Sequence, residues 1–277
     1  MQHLARQTIK RCALAVMLSM TFCYTTRAQQ SGPQPTHKVY RVYDTFDGKL
    51  IDPSKWRSND PHPCGIGSAL ECVREIEGGR LHMRVRNYGA TNTDDGTQNA
   101  NLGVLLTAPL GVVDLATEVV VREASAQGCP NNGESPRAQV GLFGSWFNLG
   151  QGTFADDFIA HLFIETSSDP DVLAVVGHIG IPFGPMLDFQ VGEVRVGQRV
   201  ILQLAWDQPN HRFIARLIGP GHKPVAEQYM PYSVPDDTMP PAARAKGPFL
   251  FTYVPNCNGS RPFIEMDTLF DNVTVGQ

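Results

Sequence analysis

The sequence predicts an all-β protein, built as a two-sheet antiparallel β-sandwich. Short runs of alternating or β-branched residues recur between turn residues, and the 277-residue chain holds 26 glycines and 21 prolines. Helix signals are almost absent. About a dozen strands of this length need two stacked sheets, because one open sheet of that width would expose an apolar face.

The first 28 residues do not follow this pattern. Arg6, Lys10 and Arg11 form a basic start, a short and mostly apolar stretch follows, and the small residue Ala28 ends the segment. This arrangement is typical of a secretory signal peptide and is too short to span a membrane; the alternative is a buried helix. We therefore expect residues 1–28 to be removed during secretion to an extracellular or periplasmic location, and residues 29–277 to form a single β-sandwich domain.

The net charge of residues 29–277 limits the classes of partner that the domain is expected to bind. The full chain has 23 basic and 27 acidic residues, and four of the basic residues lie in the first 28. The remaining domain therefore carries 19 basic against 27 acidic residues, a net charge of −8. Because no cluster of Lys or Arg is left, we expect no nucleic acid partner and no membrane insertion.

Two hairpins are the clearest local elements. In REIEGGRLHMRV, Gly78 and Gly79 supply the positive φ angles of a two-residue turn. Alternation then directs one set of side chains inward, Leu81, Met83 and Val85, and the other towards water, His82, Arg84 and Arg86. In VILQLAWDQPNHRFIARLI, residues 207–210 form the turn. The segment from Pro231 to Pro248 is rich in Pro, Asp and Ala, which predicts a long surface loop.

Four cysteines follow the predicted signal peptide, and in an oxidising compartment an even number indicates disulfides. Three pairings are possible. Cys64 and Cys72 close a short loop, which favours Cys64–Cys72 as one pair. This leaves Cys129–Cys257, two cysteines in the similar surroundings CPNNG and PNCNG. The alternative is a free catalytic thiol.

Three segments together resemble a known superfamily. They are DTFDGKLIDPSKW (residues 44–56), EGGRLHM (residues 77–83) and LFDNVTV (residues 269–275). In this order they are similar to the concanavalin A-like lectin/glucanase superfamily, including its laminin-G-like jelly rolls. The resemblance implies a jelly roll in which the first and last strands pair. It implies no single activity, because the superfamily mixes lectins, enzymes and modules without activity.

The segment FIEMDTLFDN (residues 263–272) places Glu265 and Asp267 on one face of a strand. Laminarinase-type members of the superfamily carry E-x-D-x-E or E-x-D-x-x-E, and these two residues match the first two acids. Leu269 and Phe270 stand where the third acid belongs, so the second carboxyl group needed for hydrolysis has no obvious source. We therefore predict a structural strand, with a β-bulge at residues 271–272.

The resemblance also implies a structural calcium ion where the first and last strands meet. On that basis Asp44, Asp47 and Asp271 are candidate ligands, because carboxylate oxygens suit a hard cation. The alternative is that Asp44 and Asp47 only shape a turn. No cofactor is expected to be required beyond this ion.

Two neighbouring candidate strands, RAQVGLFGSWF and DFIAHLFIET, give the clearest functional signal. One face of each is apolar, whereas the other mixes aromatic and hydrogen-bonding residues. In a jelly roll the outer face of one sheet is a concave groove, where aromatic rings stack on sugars and polar groups orient them. The residues predicted to bind carbohydrate there are Arg137, Gln139, Phe143, His161, Phe163 and Glu165. The alternative is that a long loop covers this face.

Three functions stay open at this point. The first is an exported lectin-like protein that binds an oligo- or polysaccharide without cleaving it, with no catalytic residue. The second is a glycoside hydrolase using Glu165 and Glu118, provided that their strands are neighbours and one carboxyl group has a raised pKa. A salt bridge between Glu118 and Arg122 is the simpler expectation for that strand. The third is a structural or adhesion module with no open site.

Overall fold

The computed structural model describes residues 40–58, 70–89, 98–130, 135–169, 171–236, 239–257 and 260–277. The predicted signal peptide lies outside these ranges. The described residues form fifteen strands and two short 3-10 helices, Phe154–Asp156 and Gln208–Asn210. Neither of these helices is long and apolar enough to cross a membrane.

The fifteen strands are numbered along the chain. In chain order they are β1 (Tyr40–Asp44), β2 (Trp56–Ser58), β3 (Leu70–Glu77), β4 (Arg80–Tyr88), β5 (Gln98–Leu106), β6 (Asp114–Gln127), β7 (Arg137–Asn148), β8 (Asp157–Glu165), β9 (Val172–Gly180), β10 (Met186–Arg195), β11 (Arg199–Asp207), β12 (Arg212–Ile218), β13 (Pro224–Pro231), β14 (Lys246–Val254) and β15 (Phe263–Gly276).

These strands form two antiparallel sheets. The larger sheet has eight strands in the order β13-β12-β11-β6-β15-β4-β3, with β1 paired to β15. The smaller sheet has seven strands in the order β10-β9-β8-β7-β14-β5-β2. The predicted all-β sandwich is therefore confirmed. Tyr40 pairs with Gly276, so the first and last strands meet as in the concanavalin A-like architecture.

Alternating apolar residues from both sheets fill the space between them. Leu81, Met83 and Val85 of the first predicted hairpin are fully buried. Glu77 pairs with Arg80 across its two-glycine turn, and both glycines have positive φ angles. The core is large because side chains at every second position of both sheets lose contact with water.

The last strand contains the predicted bulge. Its register shifts between Asp271 and Thr274, and Asn272 adopts a φ of 50°. Side chains on both sides of the bulge face the core: Ile264, Met266, Phe270, Val273 and Val275. The bulge therefore keeps one strand buried through a change of parity.

Glu265 and Asp267 lie on the outer face of the larger sheet and are engaged by arginines. Glu265 Oε1 accepts hydrogen bonds from Nε of Arg84 and of Arg86, both at 2.7 Å. Asp267 Oδ1 accepts one from Nε of Arg122, also at 2.7 Å. These contacts support a structural role for the strand. The prediction that His82 faces water is wrong, because His82 is buried among these charges.

A disulfide joins Cys129 to Cys257, with Cα atoms 5.2 Å apart, as predicted. Cys72 is also disulfide-bonded. Its predicted partner Cys64 lies outside the described residues. A disulfide in the domain is consistent with folding in an oxidising compartment.

Candidate functional site

An open groove of about 760 Å³ lies on the outer face of the seven-stranded sheet. Strands β7, β8, β9 and β14 supply its floor. One end is bordered by the connection after β9, with Ile181 to Gly184, and one side by Ala243 and Ala245. No segment that the structure describes fills this space. The groove lies where the sequence predicted a binding face.

Cross-strand register places four functional side chains side by side on the floor. Phe143 on β7 pairs with His161 on β8. His161 pairs with His178 on β9, and His178 pairs with Asp188 on β10. We call Phe143, His161, His178 and Asp188 the histidine row. Because directly paired residues share a face, this row crosses the groove from one strand to the next.

A chain of polar contacts links the histidine row to the neighbouring pair Gln139 and Glu165. Nδ1 of His178 is 2.8 Å from Oδ1 of Asp188, and its Nε2 is 2.6 Å from Oε1 of Glu165. The same Oε1 accepts a hydrogen bond from Nε2 of Gln139. Oε2 of Glu165 has no hydrogen-bond partner among the described residues, so one carboxylate oxygen is available to an additional donor.

The pKa values of the two histidines in the row are shifted in opposite directions. Burial alone would lower the pKa of His178, but hydrogen bonds and charges from Glu165 and Asp188 outweigh it and raise that pKa. Burial, with the neighbouring His178, lowers the pKa of His161 to about 3. His161 is therefore neutral near pH 7. Its Nε2 is buried and has no hydrogen-bond partner among the described residues.

Aromatic rings form a platform beside this polar chain. The rings of Phe143 and Phe249 stack with centroids 5.1 Å apart and an angle of 27° between their planes. Both are half-buried, as is Phe251, which also lines the groove. Phe163 is only 2% exposed, so the expectation that it stacks on a ligand is wrong. Its ring packs beside that of His161, with centroids 5.0 Å apart.

Two arginines add positive charge near one end of the groove. Arg137 is exposed and forms no hydrogen bond or ion pair with any residue that the structure describes. Arg57 donates to the backbone oxygens of Ala243 and Arg244, at 3.1 and 2.6 Å. Because neither guanidinium has a carboxylate partner within the described ranges, both can donate to ligand oxygens.

The side wall formed by Ala243 and Ala245 is fixed by Asp157. This carboxylate is fully buried. Its Oδ1 accepts the side-chain amide of Asn148 at 2.8 Å and the backbone N–H of Ala242 at 2.6 Å, and its Oδ2 accepts that of Ala243 at 2.9 Å. The segment predicted as a loop from Pro231 to Pro248 is thus anchored against the sheet, and its last residues already belong to β14.

The structure brings most of the predicted site residues together. Five of the six line the groove: Arg137, Gln139, Phe143, His161 and Phe163. Glu165 is not among the lining residues but contacts two of them, Gln139 and His178. The sequence analysis missed His178, Asp188 and Phe249. An alternation signal existed for His178, which shares its parity with Val176 on the face opposite Leu173 and Val175.

Glu118 is not part of this groove. It lies on β6 of the larger sheet, whose neighbours are β11 and β15, whereas Glu165 belongs to the smaller sheet. The premise that these two strands are neighbours is therefore wrong. The expected salt bridge to Arg122 is wrong as well, because Glu118 pairs with Arg199 at 3.2 Å.

The three proposed calcium ligands are engaged by the chain itself. Oδ2 of Asp44 accepts the indole N–H of Trp56 at 2.5 Å, and Oδ1 accepts the ammonium of Lys55 at 3.1 Å. Burial raises the pKa of Asp271, and the nearby charge of Asp47 adds to this. The described residues contain no group of three or more His, Cys, Asp or Glu side chains able to hold a metal. These contacts do not fit a preformed calcium site. The calcium ion stays a prediction.

The chain matches no protein-family model and no curated protein sequence. Similar solved structures include an immunostimulatory antigen and pseudo β-1,3-glucanase of Mycobacterium tuberculosis, with 13% identity, a TM-score of 0.43, and coverage of 86% of this chain and 97% of that one. A β-1,3-glucanase from Mycobacterium marinum has 14% identity and a TM-score of 0.39, over 90% of this chain and 100% of that one.

A PL7 alginate lyase from Zobellia galactanivorans has 11% identity and a TM-score of 0.42, over 82% of this chain and 98% of that one. These likenesses are too distant to carry an argument about activity. The concanavalin A-like architecture rests on the chain's own two stacked sheets and its paired first and last strands.

Proposed function

We propose that this protein is exported and binds an oligo- or polysaccharide in the groove of the seven-stranded sheet, without cleaving it. The observation that carries the proposal is the aromatic platform of Phe143 and Phe249 beside the polar chain from Gln139 to Asp188. Flat apolar rings receive the C–H faces of a sugar, and the adjacent polar groups exchange hydrogen bonds with its hydroxyls. A groove of about 760 Å³ accommodates several sugar units rather than one.

Each polar group at the groove offers a different contact. The carboxylate of Asp188, which lines the groove, can accept a hydroxyl hydrogen bond, and Arg137 can donate to hydroxyl or ring oxygens. His161 contributes its ring instead, because its Nε2 is buried and its ring centroid lies 4.7 Å from that of Phe143.

Binding without cleavage is favoured by the arrangement of carboxylates. Hydrolysis by two acids needs a pair that flanks the scissile bond, about 5–5.5 Å apart for retention or about 6.5–9.5 Å for inversion. Here Glu165 is not among the lining residues, and Glu165 and Asp188 both contact one imidazole, that of His178. The ring of His178 therefore lies between the two carboxylates, where a scissile bond would have to stand.

An array of neutral and acidic oligosaccharides tests the binding proposal. The wild-type domain should bind a subset of them, Phe143→Ala should weaken binding at least about tenfold, which corresponds to about 1.4 kcal/mol, and Gln139→Ala should weaken it as well. Glu123→Gln, on the outer face of the other sheet, is the matched control and should bind normally. Binding that is unchanged by Phe143→Ala would contradict the groove as the binding site and favour a structural or adhesion module.

A second candidate is cleavage of the bound saccharide, which the contact of His178 with two carboxylates favours. Its raised pKa keeps the imidazole of His178 protonated to a higher pH than that of an ordinary histidine, and a protonated imidazole is a proton donor. Reducing ends should be counted after incubation with each array ligand that binds. Their release by the wild type, lost in His178→Gln and Asp188→Asn while binding is retained, would replace the non-catalytic proposal. No release is the expected result.

Export is part of the same proposal. It is supported by the basic and apolar start of the sequence and by the Cys129–Cys257 disulfide, which suits an oxidising compartment. Expression of the full chain in a secreting host should yield a mature protein that begins near residue 29. N-terminal sequencing of cell-associated and exported fractions measures this, and an exported protein that still starts at Met1 would contradict it.

A further inference from the structure

A second cavity, of about 390 Å³, lies apart from the groove and shares no described lining residue with it. Its walls are mostly aromatic and aliphatic. They include Trp146, Phe147 and Trp206, with Leu110 and Met239 partly exposed to solvent. The carbohydrate-binding proposal makes no use of this cavity. Its one basic side chain among the described lining residues is Lys246.

Lys246 is a buried amine with no acidic partner. It is 4% exposed, its Nζ donates to the backbone oxygen of Val112 at 2.6 Å, and Nζ lies 4.2 Å from the centroid of the Trp146 ring. No described carboxylate lies within ion-pair distance of Nζ. A buried ammonium that contacts only one carbonyl oxygen and one aromatic face is costly to keep charged. Burial accordingly lowers the pKa of Lys246 to about 7.

The titratable groups around this amine are few and otherwise engaged. Asp236 also lines the cavity, where its Oδ2 accepts the hydroxyl of Tyr232 at 2.5 Å and lies 3.2 Å from Nδ1 of His211. Tyr232 in turn accepts the indole N–H of Trp206. Arg244, two residues before Lys246 on the chain, carries the nearest charge along the sequence. None of these groups supplies the negative charge that would hold Lys246 protonated.

We propose that Lys246 captures small aldehydes as imines in this aromatic cavity. An unprotonated amine in an apolar pocket is an activated nucleophile. Its lone pair attacks the carbonyl carbon and forms the N–C bond, while the carbonyl π electrons move to oxygen. That oxygen then leaves as water with the two protons that the amine carried, and a C=N bond remains. The step needs no oxidant or reductant. The aromatic walls select an aldehyde with an apolar or aromatic body.

Benzaldehyde with sodium cyanoborohydride tests this in the full chain, because the hydride reduces each imine to a stable benzyl amine. Peptide mass spectrometry then measures the rate at each lysine. Lys223 is exposed and serves as the internal control. At pH 7 about half of an amine with the pKa of Lys246 is unprotonated, against about one part in 2,500 for an ordinary lysine. We expect labelling of Lys246 at least about tenfold faster, allowing for slower entry into the cavity.

The pH dependence and two variants complete the test. The rate at Lys246 should level off above about pH 8, while that at Lys223 should keep rising towards pH 10. Lys246→Arg should abolish the fast phase, and Lys223→Arg should keep it. A Lys246 that labels no faster than Lys223, or whose rate rises in parallel with it to pH 10, would overturn the proposal. This comparison is made in the wild type, so it decides the matter even if Lys246→Arg does not fold.

Discussion

Replacement of Asp157 by asparagine should loosen the side wall of the groove. The carboxylate is fully buried and accepts three hydrogen bonds, two of them from the backbone of Ala242 and Ala243. Asparagine has nearly the same shape but keeps only one acceptor oxygen, and its amide group then faces an N–H donor. A hydrogen bond to a charged group contributes about 1.5–3 kcal/mol, and a buried donor left unpaired costs about 1–3 kcal/mol.

Removal of a buried charge recovers part of this loss, because the neutral amide is easier to desolvate. We therefore expect Asp157→Asn to lower the free energy of unfolding by about 3 kcal/mol, which corresponds to about 6–12 °C in Tm for a domain of this size. Differential scanning calorimetry and urea denaturation measure the change. Hydrogen exchange should rise at the backbone amides of Ala242 and Ala243.

Asp156→Asn is the matched control for this experiment. Asp156 immediately precedes Asp157, but its carboxylate accepts a surface hydrogen bond from Thr153, which asparagine can still accept. We expect a change within about 0.5 kcal/mol. Equal Tm values for the wild type and Asp157→Asn would refute the reasoning, because they would mean that the three contacts do not hold the wall.

Three further predictions concern stability. Glu265→Gln should lower the free energy of unfolding by about 2 kcal/mol and leave saccharide binding unchanged, because it weakens a buried contact with Arg84 outside the groove; denaturation and array binding measure the two effects. The double change Cys129→Ser and Cys257→Ser should cost about 4 kcal/mol in urea denaturation, since the disulfide joins positions 128 residues apart. The pKa of His178 is raised in the folded protein, so the stability that this imidazole contributes is complete below about pH 6.5 and is lost as the pH rises through the folded-state pKa. The Tm difference between the wild type and His178→Gln should therefore be larger at pH 6 than at pH 9.

Different results would contradict each of these. A Glu265→Gln variant that keeps its Tm but no longer binds saccharide would make this strand functional rather than structural. Serine replacements that leave the urea midpoint unchanged would show that the cross-link adds nothing to stability. A Tm difference for His178→Gln that is the same at pH 6 and pH 9 would mean that the imidazole gains no net stabilisation from its two carboxylates.

The sequence predicted the architecture well because the sandwich depends on a local property, the alternation of apolar residues. Leu81, Met83 and Val85 are buried as alternation required. The bulge was predictable because Phe270 and Val273 are both apolar but differ in parity. The edge strands β10 and β13 carry none of the predicted hairpins or candidate strands, since much of each is exposed and their apolar pattern is weak.

The candidate site was harder to predict because it depends on which strands become neighbours. Parity placed Gln139, Phe143 and His161 on the correct face, but it does not give the exposure of each side chain, so Phe163 was taken for a contact residue although it is only 2% exposed. His178 and Asp188 reach the groove because β8 pairs with β9 and β9 pairs with β10, and the weak apolar pattern of β10 gives no sign of that strand. The role predicted for Glu118 was wrong because the sheet to which a strand belongs cannot be read from that strand alone.

The position of the bound saccharide tests the central claim most directly. Carbene footprinting compares the labelling of each peptide with and without the oligosaccharide that binds best on the array. The account predicts protection of the peptides that carry Phe143 and Phe249, on the floor of the groove, and unchanged labelling of the outer face of the larger sheet around Arg84. Protection of that outer face, or no protection of the groove peptides at saturating ligand, would contradict it.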